Sequence, residues 1–142
     1  MRHDFNATLT KALYTATSGM QVQNKRVLVL SQNVANAGSR PAAPGQEPYR
    51  RRMISFKSTY DKKLDAEIVS VNRIFNDKSP LNRVYSPGDQ AADKLGYVQE
   101  SNVKPMIEMA DLREAGIGHD ANLKAFERVL KMLENTINLL KS

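Results

Sequence analysis

The sequence predicts a mainly α fold, with long N- and C-terminal heptad helices packed as an antiparallel, coiled-coil-like pair around a small irregular β-rich middle. Three observations predict it. Apolar residues recur at alternating steps of three and four near both chain ends. A Gly/Pro-rich block follows the first such stretch, and short β-branched and aromatic runs between turn signals fill the centre. The expected division is an N-terminal helix in 1–37, a loop and β-rich middle in 38–102, and a C-terminal helix in 103–142. The two helices are expected to form one core.

The first helix is expected over about 4–36. Its seam runs Leu9, Leu13, Ala16, Met20, Val27, Leu30 and Val34, with Gln23 filling the one gap. That spacing keeps one stripe facing a partner helix. Gly19 lies inside it at a cost of roughly 1 kcal/mol relative to Ala. Asn36-Ala37-Gly38 is a stop signal, because glycine tolerates the left-handed conformation that closes a helix. The proline-rich block from 38 to 48 is then a loop.

The segments 49–60 and 68–75 are expected as short strands, with turns at 77–80, 86–88 and 94–96. The second helix is expected over about 103–141, with Pro105 near its start, where a missing N–H costs little. Its seam runs Met109, Leu112, Gly116, His119, Leu123, Phe126, Leu130, Leu133, Ile137 and Leu140. Gly116 and Gly118 predict a kink or frayed turn near 115–119.

At 142 residues the length fits one domain. No run approaches the roughly 18 apolar residues of a membrane-spanning helix, so no membrane insertion is expected. The first residues lack the apolar block and cleavage site of a secretory signal, which argues against that export route. With no cysteine, disulfides and thiolate metal sites are excluded. The net charge of +6 is uneven: residues 1–60 carry nine Lys/Arg against two Asp/Glu, and residues 61–142 twelve against thirteen.

The basic first half raises nucleic-acid binding as an alternative. The run Arg50-Arg51-Arg52 lacks interleaved aromatics beyond Tyr49, however, and no binding motif accompanies it. These arginines read either as pairing with acidic residues on a neighbouring subunit or as a solvated strand face. No phosphate loop, nucleophile elbow or metal cluster is visible, so neither an enzyme nor a cofactor is expected. His119 reads as a satisfied core or interface histidine, and Glu108 and Asp111 as exposed helix charge. Asn33 and Asn36 read either as setting register at the helix end or as capping it.

Further residues carry a resemblance. The block Ser18-Gly19-Met20-Gln21-Val22-Gln23, followed by Gln32-Asn33-Val34-Ala35-Asn36-Ala37, resembles the N-terminal signature of the flagellar basal-body rod proteins. Pro48-Tyr49-Arg50-Arg51-Arg52, Asp77-Lys78-Ser79-Pro80, Tyr85-Ser86-Pro87 and Ala92-Asp93-Lys94-Leu95-Gly96-Tyr97-Val98 are similar, in order, to the middle of the proximal-rod branch. Asn102-Val103, Glu108-Met109 and Ala121-Asn122 resemble its C-terminal signature. The ordered set spans nearly the whole chain. Another rod or hook protein of the same family is the alternative within the class. Where the branch usually has His-Pro after the middle proline this chain has Gly88-Asp89, and Ile117 and His119 stand where Arg and Tyr are usual.

The resemblance implies a structural subunit of the bacterial flagellum. Its partners would be copies of itself, other rod proteins, a ring–rod junction protein and the flagellar type III export apparatus. Export would leave the N-terminus intact, and polymerisation would occur in the periplasm. The terminal helices would be disordered before assembly, and their seam residues would pack between subunits.

Overall fold

The computed structural model describes residues 2–141, with side chains from 7 to 139. The element order is α1 (Arg2–Ala35), β1 (Arg52–Asp61), β2 (Ala66–Asn76), β3 (Asn82–Tyr85), β4 (Tyr97–Glu100) and α2 (Pro105–Lys141). The strands form two separate two-stranded sheets, β1-β2 and β3-β4. The chain gathers into two compact units: residues 1–27, 55–73 and 113–142 form one, and residues 28–54 and 74–112 the other.

In the first unit α1 and α2 run antiparallel in close contact. Gly19 faces Asn122, Gln23 faces Gly118, and Arg26 pairs with Glu114 at 3.2 Å. A Cβ at position 19 would stand 2.8 Å from Oδ1 of Asn122, and one at position 118 would stand 3.0 Å from Nε2 of Gln23. Each helix thus offers one bare backbone position to an amide of the other. Leu9, Ala16, Val22 and Ala115 are buried in this unit.

Gly118 lies where a frayed turn was one expectation, yet the helix runs without a break from Pro105 to Lys141. Packing explains the difference. The two glycines cost helix propensity, but one of them admits the Gln23 side chain, and tertiary contact overrides propensity.

The β1-β2 hairpin rests on α1. Thr15 Oγ1 donates to the Glu67 carbonyl at 3.0 Å, and the Val69 amide donates to Ser18 Oγ at 3.2 Å. At the hairpin turn Asp65 takes a positive φ of 48°. Its carboxylate pairs with Lys11 and accepts from the Tyr60 hydroxyl. Strand edges are liabilities when their polar groups are open, and here α1 hydroxyls occupy part of that edge.

In the second unit α1 ends as its sequence foretells. The Asn36 amide and side-chain Nδ2 both donate to the Gln32 carbonyl, at 3.1 and 2.8 Å. Gly38 follows at φ +72°. β3 and β4 pair antiparallel with Asn82 opposite Glu100 and Tyr85 opposite Tyr97. The expected turns at 86–88 and 94–96 both fall in the β3–β4 connection. Gly96 has φ +79°, and a Cβ there would meet the Tyr85 ring at 2.9 Å. Tyr85 and Tyr97 meet edge to face at 5.3 Å, with the Arg83 guanidinium 4.8 Å above Tyr97. Val98, Val103, Val29 and Leu30 are buried.

Candidate functional site

Two features stand out, a buried polar network in the second unit and uncovered apolar rows on α2. The network centres on Asn33, which is completely buried. Nδ2 of Asn33 donates to the Arg52 carbonyl and to Oε2 of Glu108, both at 2.8 Å. Its Oδ1 accepts from the Tyr49 hydroxyl at 2.8 Å and from the Arg52 amide at 2.9 Å. That uses both donors and both acceptor positions of one amide.

Glu108 is also completely buried. Its other oxygen accepts from Arg51 Nε at 2.5 Å. Arg51 reaches Asp77 at 3.7 Å and Asp111 at 3.9 Å as well. Asn102 completes the set: its Oδ1 accepts from the Arg51 amide at 2.7 Å, and its Nδ2 donates to Ser79 Oγ at 2.8 Å. α1 thus supplies Asn33, the segment before β1 supplies Tyr49 and Arg51, the segment before α2 supplies Asn102, and α2 supplies Glu108. A buried carboxylate persists only when paired and hydrogen-bonded, and this one has both.

Three expectations are corrected here. Glu108 is a buried ion-pair partner, not exposed helix charge, because Arg51 and Asn33 compensate its burial. Asp111 is half-buried beside the same arginine. The arginine run is not a solvated face: Arg50 pairs with Glu47, Arg51 with Glu108, and Arg52 Nη1 donates to Gln32. Asn33 is a hub between three segments and Asn36 is the cap, so the two asparagines take different roles.

Burial raises the Tyr49 phenol above its usual range. Asp77 is held below its ordinary value of 3.8 chiefly by the Ser79 amide. Asp89 is lowered by the Ala91 amide and then by Arg40, and Asp93 by the Tyr97 and Leu95 amides and then by Arg83. A carboxyl lowered by folding contributes stability that is present above its unfolded value and lost as pH falls through the folded one. The expected result is that the Ser79, Ala91, Leu95 and Tyr97 amide signals hold their positions in an NMR titration down to about pH 4 and move only below it. Movement that begins above about pH 5 would contradict the assignment.

On α2 the covered positions recur as Glu108, Leu112, Ala115, His119, Asn122, Phe126, Val129, Leu133 and Thr136. The seam read from sequence shares Leu112, His119, Phe126 and Leu133 with this stripe, but places the alternate positions one residue later. Within one copy, therefore, Met109, Leu123, Leu130 and Ile137 lie beside the stripe that meets α1. They are 56, 38, 44 and 49% exposed. On the other flank Ala125, Met132 and Leu139 are exposed. Apolar surface remains uncovered on both sides of the stripe that faces α1. The side chain of Leu140 lies outside the described residues.

On α1 the chain itself buries Leu9, Ala16 and Leu30 and half-buries Leu13, Met20, Val27 and Val34. The remaining motif residues hold local structure. Ser18 binds the hairpin edge, Gly19 and Asn122 interlock, and Pro48, Val98 and Val103 are buried. Gly96 fits beneath Tyr85, and Tyr97 meets that ring edge to face. Ala35 and Ala121 are exposed. Sequence reasoning missed Val22 and Val29, which lie off the heptad seam. A second apolar row beside the first was the available signal.

No family model matches the chain. Individual proteins do. A flagellar basal-body rod protein FlgC from Agrobacterium fabrum is 40% identical over 134 residues, covering 94% of this chain and 96% of that protein. FlgC from Bacillus subtilis is 32% identical over 149 aligned residues, covering 94 and 99%. FlgC from Salmonella typhimurium is 32% identical over 124, covering 87 and 92%. With near-complete coverage in both directions, the chain belongs to the FlgC family of flagellar basal-body rod proteins.

Proposed function

We propose that this structural rod subunit polymerises through its terminal helices into the periplasmic proximal rod, the drive shaft between the membrane-embedded ring and the hook, and that it has no catalytic role. The observation that carries the reading is the pair of apolar rows on α2 that its own chain leaves open. An α-helix with apolar residues on both flanks of its seam has the pattern of a helix set among several others. Copies of the chain and other rod proteins supply the missing surface. Of the seam residues, Met109, Leu123, Leu130 and Ile137 belong to the contact between subunits, while Leu9, Ala16 and Leu30 of α1 belong first to the contact within one copy.

On this reading the chain leaves the cytoplasm through the flagellar type III export apparatus without a cleaved signal and meets the ring–rod junction protein at the rod base. Long isolated helices with open apolar faces are marginal in water. The parts of α1 and α2 that lie outside the buried network order as they join, and the ordering entropy is lost at that step. Deleting the gene is expected to abolish swimming and to leave basal bodies without rods in electron micrographs, with both restored by the gene in trans. Swimming cells with intact rods in the deletion strain would end this reading.

A further inference from the structure

We propose that the tip of the β1-β2 hairpin is a docking surface for an acidic face on a protein other than this chain. Between Phe56 and Lys63 every residue but Asp61 is exposed. The acidic groups of the hairpin tip are used internally. The Asp61 carboxylate accepts the Lys63 and Leu64 amides, Asp65 pairs with Lys11 and Tyr60, and Glu67 accepts from Ser58. The basic groups are not. Among the described residues, no carboxylate pairs with Lys57, Lys62 or Lys63. The hairpin end therefore presents three ammonium groups and two partly covered rings, Phe56 and Tyr60, 37 and 56% exposed, the latter fixed through its hydroxyl; along the strand Lys57 falls on the face opposite the rings.

Segregation of this kind steers an oppositely charged partner and fixes its orientation, while rigid aromatic side chains supply contact area at low entropy cost. A second copy does not fit. Of the exposed acids of α2, Glu114 pairs with Arg26 of its own α1, Asp120 and Glu127 stand four residues before Lys124 and Lys131, and Glu134 stands three after Lys131, so no uniformly acidic face is offered. An anionic membrane is the weaker alternative, since three surface lysines with two partly covered rings fall short of the buried apolar area that stable interfacial binding requires.

The test uses the purified full chain and fluorescent poly-L-glutamate, read by anisotropy, so it stands apart from rod assembly. A variant with Lys57, Lys62 and Lys63 all changed to Gln is expected to bind about tenfold more weakly. A control with Lys94, Lys104 and Lys124 changed to Gln loses the same net charge and is expected to change less than about twofold. Circular dichroism checks that both variants match the parent. Equal losses in the two variants, or no binding by the parent, would overturn the proposal. So would capture by phosphatidylglycerol vesicles without binding to poly-L-glutamate.

Discussion

Replacing Asn33 with Leu is expected to cost about 3–5 kcal/mol, a large share of the stability of a domain this size. The substitution nearly conserves volume, so the loss is electrical. It strands Oε2 of Glu108, the Tyr49 hydroxyl and the Arg52 amide and carbonyl together. An unmet buried group costs about 1–3 kcal/mol, and more when charged. The expected readout is a urea midpoint lowered by about 2 M at the slopes usual for small proteins. Faster hydrogen exchange at the Arg52 amide accompanies it. Glu108→Ala strands Arg51 and Asn33 and belongs to the same class. Asn36→Ala removes only a helix cap and is expected to cost about 1 kcal/mol. If Asn33→Leu and Asn36→Ala proved equal, the network would not be the determinant of this unit.

The second large effect concerns assembly, with the fold left intact. The double variant Leu123→Asp, Leu130→Asp places two carboxylates on an α2 row that one copy leaves open. Within a single chain those positions already meet water, so its far-ultraviolet dichroism and urea midpoint are expected to stay near the parent's. Between subunits, each change removes about 1 kcal/mol of burial, roughly half that of a fully exposed leucine, and introduces a charge that desolvation penalises by several more. Cells carrying the variant are expected to export the protein but to lack rods and to form no swimming halo. Normal swimming would show that this row faces solvent in the assembly. A change of equal size at Lys124 is the control, because that residue lies between the apolar rows.

The sequence disclosed both helices because heptad spacing and end signals are local. Asn36 and Gly38 close α1, and Pro105 opens α2, as their backbone chemistry requires. Turns were legible for the same reason. The site was legible only as a set of motif residues. Asn33, Tyr49, Arg51, Asn102 and Glu108 lie far apart along the chain, and no periodicity says that they meet. A glutamate on a helix surface is ordinarily solvated, so only a partner brought in from another segment could reveal Glu108 as buried. Which row of α2 meets α1 was not legible for a related reason. With apolar residues on both flanks, as at Leu123 and Ala125, spacing cannot tell which row meets the chain's own helix. Small and polar residues such as Ala115 and Asn122 lie at the contact instead, set by the notch at Gly19.

That notch has a mechanical consequence. α1 contains a single glycine, and Asn122 occupies the place it leaves. Shifting either helix lengthwise by one turn would drive the amide into Thr15 or Gln23, where a side chain blocks entry. Gln23 and Gly118 repeat the arrangement in the opposite sense. Two keyed joints of opposite polarity resist both pushing and pulling along the pair, so a thrust on one helix passes to its mate without slippage.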